Sequence, residues 1–493
     1  LVMADKEGIP THYRIGENAD LSLLEWVVWP DPKSSVIPFT LSPEGGQKTV
    51  YLQLKDNITE SAIKVDMINY IVLNYEEVTL DLALPQGVDT AGISLSFAPL
   101  KYNKEFAYGV TSDDTHLSAW NVLFKYFNGM WIDDAIHFHK YAADGTINKR
   151  TTGSYAPRAL TYTDGFGTRR RFCVNTANDV CPLRPVRPDN AGGPQYPYLL
   201  WPEIEEMLEF DGGFSLHDVW DPAMSDYGGT VENIVNGINF YNDYLKNKFG
   251  RKAMVMTEPN GDAKYTTAAQ LVSDIRMITR QHSTNLGYVF VSLKDESLNT
   301  DKLKVARMFN ESPADGLNTY KQDFLKDFPG NGMYGEFGCH GVDKNKNADK
   351  KIWPAVSGFF DWLCDTYGEP GNDTVWFATN EEVIQYKSLC RMSVIEHSVS
   401  DDVLHITLKV PVLENFNWRE LTLLAGGIGS GTVTESSNVK GLSYGLKGDY
   451  FMINVNLDAT LETRAEKYTA AFEKSYDNED KDAAGYFIQR LKP

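Results

Sequence analysis

No apolar run in this chain approaches the roughly 20 residues that a membrane-crossing helix needs, so nothing in the sequence spans a bilayer. Positive charge is scarce. The 47 Lys and Arg stand against 67 Asp and Glu, and a net charge of -20 repels a phosphate backbone, which excludes nucleic acid as a partner. The cysteines Cys173, Cys181, Cys339, Cys364 and Cys390 show no C-x-x-C spacing, so a zinc-ribbon reading fails. Cys173 and Cys181 flank a short polar loop, and either a disulfide in an oxidising compartment or buried free thiols suits them. The opening Leu1-Val-Met-Ala-Asp-Lys-Glu-Gly8 has no basic segment followed by an apolar one, so no signal peptide is expected in this stretch, and a start at Leu is compatible with the earlier removal of one. No long repeat or low-complexity linker is visible.

What the chain does have is 42% hydrophobic and 12% aromatic content over 493 residues, which describes a folded protein of two to four domains. Residues 1–100 carry short alternating runs such as Thr49-Val-Tyr-Leu-Gln-Leu54 and Val78-Thr-Leu-Asp-Leu-Ala-Leu84, broken by Gly, Pro, Asp and Asn. They predict a small antiparallel β domain, with Trp26, Trp29 and Tyr51 as its core and sugar stacking as their alternative. Residues 101–390 switch to strands alternating with helical patterns, the signature of βα units in a parallel sheet or barrel. An insertion is expected at about 129–200, containing a hairpin over Tyr162–Arg171. His137 and His139 near its start are two apart, which suits a second metal site or an ordinary strand face. Residues 391–493 return to short strands, then a charged helical tail from Leu461 to Phe472 and a solvated acidic run, Tyr476–Asp482, with no implied partner.

The most informative stretch is Phe106-Ala-Tyr-Gly-Val-Thr-Ser-Asp-Asp-Thr-His116, an uncharged run that ends in two adjacent carboxylates. Its composition predicts a strand buried on both faces, with Asp113 and Asp114 at the carboxyl end, where reacting groups sit in parallel α/β folds. One of the pair then binds a metal and the other handles protons. The alternative is that either Asp caps a helix starting near Leu117.

Ser112-Asp113-Asp114 after an apolar strand resembles the first motif of the NodB-type polysaccharide deacetylases, a family of metal-dependent carbohydrate esterases. Four later stretches are similar to that family's motifs, in the same order: Trp201–His217, Met254–Gly261, Gly335-Glu-Phe-Gly-Cys-His340 and Trp376–Tyr386. The resemblance covers roughly 101–390. It implies an α/β fold, a distorted (β/α) barrel of NodB type flanked by β-rich modules, and a secreted, periplasmic or cell-surface location.

The resemblance also implies a set of roles. Asp113 becomes the general base and His340 the acid, while Asp114 and His217 bind a divalent transition metal, with zinc first and manganese, iron, cobalt or nickel as alternatives. Where the family places a second His four residues on, this chain has Asp221; a helical turn there would put it on the same side as His217, and a site of two carboxylates and one His shifts preference away from zinc. Asp218 is expected to face elsewhere, Asp226 is a weaker candidate, and Asp221 before Pro222 also suits a helix cap. Glu258, Pro259, Asn260 and Trp220 are expected to line the substrate groove. Two departures stand out. Thr257 occupies the place of the Arg that orients the base, and the family's Asp-x-x-Asp-Trp stretch has no clear counterpart in Gly287–Glu296.

The expected function is removal of N- or O-linked acetyl groups from a polysaccharide or glycan. A non-catalytic glycan-binding protein on a degenerate deacetylase scaffold is the alternative, motivated by the missing Arg. A glycosidase is excluded as the role of the pair, because adjacent Asp113 and Asp114 cannot flank a glycosidic bond from opposite faces.

Overall fold

The computed structural model describes residues 10–29, 37–70, 72–135, 138–140, 142, 146–179, 192–193, 196–221, 223, 229–281, 290–309, 315–328, 330–342 and 352–491. Its contacts divide the chain into two compact units, Leu1–Tyr75 and Glu76–Pro493. The first carries an antiparallel four-stranded sheet in the order Val27–Val28, His12–Gly16, Gly46–Lys55, Lys64–Tyr70. The boundary expected at residue 100 thus falls 25 residues earlier. Strands Tyr75–Ala83 and Ser94–Phe97 join the sheets of the C-terminal module, pairing with Thr432–Ser437 and Glu420–Gly426 respectively. The apolar face of the first, Val78, Leu80 and Leu82, sits in one core with Leu404, Ile406 and Leu408. Alternation along a strand says which face is apolar; it does not say which distant strand will cover it.

The second unit is built on seven strands, β1 (Phe106–Ser112), β2 (Asn175–Asn178), β3 (Gly213–Leu216), β4 (Val255–Thr257), β5 (Met277–Gln281), β6 (Leu303–Phe309) and β7 (Met333–Cys339). Each is parallel to the next, and β7 pairs with β1 from Tyr334↔Ala107 to Cys339↔Ser112, which closes the ring. A closed parallel ring covered by helices is a (β/α) barrel, here with seven strands. Strand β2 lies inside the stretch expected to be an insertion, so that stretch holds one barrel strand as well as the expected hairpin, Thr161–Thr163 with Arg169–Arg171.

Alternation along the ring strands sorts their side chains. Tyr108 on β1 faces the outer helices, its ring edge-on to Phe324 on α4 (Leu317–Asp327) and Phe359 on α5 (Ile352–Tyr367) at 5.1 and 6.0 Å. The other face is polar: Thr111, Ser215, Thr257, Thr279, Arg307 and Glu336, one from each of six strands, are all buried. Buried polar atoms must find partners, and these do so across the ring, with Ser215 to Thr257 at 3.0 Å and Thr257 to Thr279 at 3.1 Å.

The helices use local signals. α1 (Trp201–Glu209) opens with a Pro in its first turn, and α2 (Val231–Phe249) is capped by the Thr230 hydroxyl and ended by Gly250 in the left-handed region, φ 69°. Close packing fixes one glycine: a Cβ on Gly237 of α2 would lie 2.4 Å from the backbone of Trp220. α3 (Ala263–Leu271) starts on Asp262, and α6 (Asn380–Met392) starts on Thr379. No described helix is long and apolar enough to cross a membrane.

Candidate functional site

The two adjacent carboxylates leave β1 in different directions, and the backbone shows why. Asp114 and Thr115 both sit in the left-handed region, at φ 61° and 55°, a costly conformation for residues with a Cβ. The turn lets Asp113 point into the polar interior while Asp114 turns outward. It is also pinned: the Asp113 N–H donates to Cys339 O, the Thr115 N–H to Ala177 O, and the Asp179 N–H to the Thr115 hydroxyl at 2.7 Å. Neither carboxylate caps a helix.

Asp113 is buried and bidentate on Arg307, with Nη1 donating to Oδ1 at 2.6 Å and Nη2 to Oδ2 at 3.1 Å. Arg307 lies on β6 and is itself buried, so the family's orienting Arg, absent at Thr257, has a counterpart from a different strand. Thr257 does another job. Its carbonyl accepts from Nδ1 of His217 at 2.9 Å, which leaves Nε2 facing Asp114 Oδ1 at 3.3 Å. Burial lowers the basicity of His217, but the hydrogen bond with Asp114 and the charges of Asp113, Asp218 and Asp179 outweigh it and push the imidazole up to about 10. Burial likewise raises the Asp114 carboxyl, and the hydrogen bond and charge of His217 reverse that and hold it well below the carboxylate range.

The ligand atoms of Asp114, Asp179 and His217 lie within 4.8 Å of one another. This group fits a divalent ion. A second-site hydrogen bond has fixed the His217 tautomer with Nε2 toward the carboxylates, the usual arrangement of a metal-binding imidazole, and the negative charge around it calls for a cation. Two oxygens and one nitrogen leave coordination positions for water or substrate. His340 follows β7 and brings Nε2 to 3.7 Å from Asp114 Oδ2, with its ring against Phe309 at 5.2 Å. His116 stands beside it, 6.4 Å between ring centres, and stacks on Tyr198.

Asp113, Asp114, His217 and His340 therefore meet at the carboxyl edge of the barrel. Asp221 does not join them. The segment after His217 is irregular, not helical; the Asp221 N–H is drawn to Asn233 on α2 at 2.9 Å, and its carboxylate accepts from the Ala223 N–H at 2.8 Å and from Asn236 at 3.4 Å. Asp179, at the end of β2, stands in the group instead. Strand β2 reads Asn-Thr-Ala-Asn, with no apolar alternation to announce it; the apolar run nearby, Phe172-Cys-Val174, ends five residues before Asp179.

The expected groove residues separate. Trp220 is buried against α2, and Glu258 is enclosed, held by Arg280 at 3.0 Å and by the Thr266 hydroxyl, so neither presents a surface to a ligand. Pro259 is also buried, and Asn260 is exposed in a left-handed turn at φ 51°. His139 bonds Glu203 at 3.0 Å, and His137 lies outside the described residues, as do Cys181, Pro222 and Asp226. Cys173 is a buried free thiol.

These features define a (β/α)-barrel protein with a carboxylate and imidazole site at the carboxyl edge of its strands. A profile of the family described as "Putative polysaccharide deacetylase" matches residues 195–493, more than half of the chain, and the protein belongs to this polysaccharide deacetylase family. His217, Arg307, Glu336 and His340 fall inside the matched span, and the ends of β1 and β2 precede it. The structure of IcaB from Ammonifex degensii is similar over 52% of this chain and 97% of that chain at 10% identity, with a TM-score of 0.22, too loose a likeness to carry weight. No curated protein matches.

Proposed function

We propose that the protein is a metal-dependent hydrolase that removes N- or O-linked acetyl groups from an extracellular polysaccharide or glycan. The observation that carries this reading is the juxtaposition of an Asp114, Asp179 and His217 group with a separately clamped carboxylate, Asp113, and a half-exposed imidazole, His340. Asp114, Asp179 and His217 would hold a divalent transition ion, which supplies Lewis acidity toward water and the acetyl carbonyl. Two carboxylates with one imidazole favour manganese, iron, cobalt or nickel over zinc relative to a two-His site.

Asp113 acts as general base. Arg307 fixes the plane of its carboxylate with two hydrogen bonds, so it is oriented to accept the proton of the attacking water. His340 is more open, and donates a proton to the sugar nitrogen or oxygen as the acetyl group leaves. The non-catalytic alternative was motivated by a missing Arg, and Arg307 removes that motive.

The test is acetate release from N-acetylated and O-acetylated oligosaccharides by the full chain, with and without a chelator. Release is expected to stop on chelation and return with manganese, cobalt, nickel or zinc. Protein that binds one of these ions stoichiometrically and releases no acetate from either substrate class would overturn the reading.

A further inference from the structure

Behind Asp113, the Arg307 side chain meets a second buried acid. Both of its Nη atoms are committed to Asp113, and its Nε faces Oε1 of Glu336 on β7 at 3.8 Å. Glu336 has no exposure, and its other oxygen accepts the Thr111 hydroxyl at 2.6 Å. Among the described residues, neither Arg307 Nε nor Glu336 Oε1 has a hydrogen-bond partner. An enclosed donor and acceptor left apart each forgo the partner that burial requires. They stand one small side-chain shift from a charge-assisted bond, whose usual length is about 2.7–2.9 Å.

The surroundings of Glu336 give it two states. Arg307 faces it from β6, Thr111 from β1, Asp113 from just beyond the end of β1, Tyr334 from its own strand, and the Asn380 amide from α6. Burial pushes its carboxyl up to about 7, against the pull of Arg307 and Thr111, so both forms are populated near neutral pH. With Glu336 neutral, the guanidinium is fixed only along its Asp113 edge. With Glu336 ionised, Nε–H closes onto it and the guanidinium plane is held on two sides.

We infer that Glu336 is a positioning residue for the proposed reaction, locking through Arg307 the carboxylate of Asp113 in its working orientation. The inference rests on Asp113 being the base. Glu336 reaches neither substrate nor metal; its effect passes through one guanidinium, so it must vanish when the fork is gone.

The experiment compares the full chain with Glu336→Gln, Arg307→Lys and the double variant, each loaded with manganese and assayed on 4-nitrophenyl acetate. Glu336→Gln is expected to lower kcat about 10- to 100-fold, the usual worth of a supporting partner, with KM and metal content unmoved and the inflection of kcat near neutral pH removed. The double variant should be no slower than Arg307→Lys. An equal loss in both backgrounds, or an unaltered inflection, overturns the inference. Urea unfolding of metal-free protein from pH 5 to 9 is read in parallel. Because the folded-state value is raised, wild type should lose stability as pH rises through about 7, and Glu336→Gln should not. If wild type hydrolyses no ester, the proposed function falls with it; an unfolding series in which Glu336→Gln keeps the decline shows, independently of turnover, that Glu336 does not charge beside Arg307, and overturns the inference too.

Discussion

Arg307 grips both carboxylate oxygens of Asp113, at 2.6 and 3.1 Å, across 194 residues of chain. The pair is buried on both sides, where a fork of two charge-assisted bonds gives direction as well as charge. Arg307→Lys keeps the charge and loses the fork. Turnover should fall by about 10²-fold with metal content unchanged. Arg307→Met leaves Asp113 buried without its partner, and unfolding free energy should drop by roughly 3–5 kcal/mol, measured by urea titration.

The two adjacent acids should separate by phenotype. Asp113→Asn is expected to retain the metal and lose about 10²- to 10⁴-fold in turnover, while Asp114→Asn releases the metal. Elemental analysis beside acetate release reads both. Reversed effects would mean that the roles are exchanged.

Asp179 and Asp221 make the sharpest contrast between chain and fold. Asp179→Asn should weaken metal binding by more than the roughly 10- to 100-fold that loss of a supporting partner costs. Asp221→Asn should leave metal content unchanged, since its carboxylate is occupied by the Ala223 N–H and Asn236. Metal titration of the two variants decides between them.

Asp211, which follows α1, ties down the C-terminal helices: it accepts from Arg490 at 2.7 Å, from the Tyr486 hydroxyl at 2.9 Å and from Arg464 at 3.3 Å. Burial raises its carboxyl, but Arg490, Arg464 and Arg170 together hold it well below the usual range. A depressed folded-state value means stability that is present above the ordinary Asp value of about 3.9 and lost as pH falls through and below it. Asp211→Asn should cost roughly 3–5 kcal/mol at pH 7, and the gap from wild type should narrow below about pH 4. Urea unfolding across that range checks both.

The sequence by itself determined the barrel, the carboxyl-edge placement of Asp113, Asp114, His217 and His340, and the family. Each of those residues comes within a few positions after a short apolar run, and local composition is enough to show a strand and where it stops. What only the tertiary structure decided were the partners. Asp179 ends a strand of Asn, Thr and Ala that no apolar pattern marks, and it reaches Asp114 because Thr115 holds its backbone. Asp221 was expected at the metal from a spacing of four, which places side chains together only on a helix, and Asn233 draws that segment elsewhere. Arg307 sits mid-strand in Val305-Ala-Arg-Met308, where a lone cation says nothing about its counter-ion. Periodicity reports the face a residue occupies; closing a ring of parallel strands brings β6 and β7 to β1, and that long-range pairing chooses which charges meet.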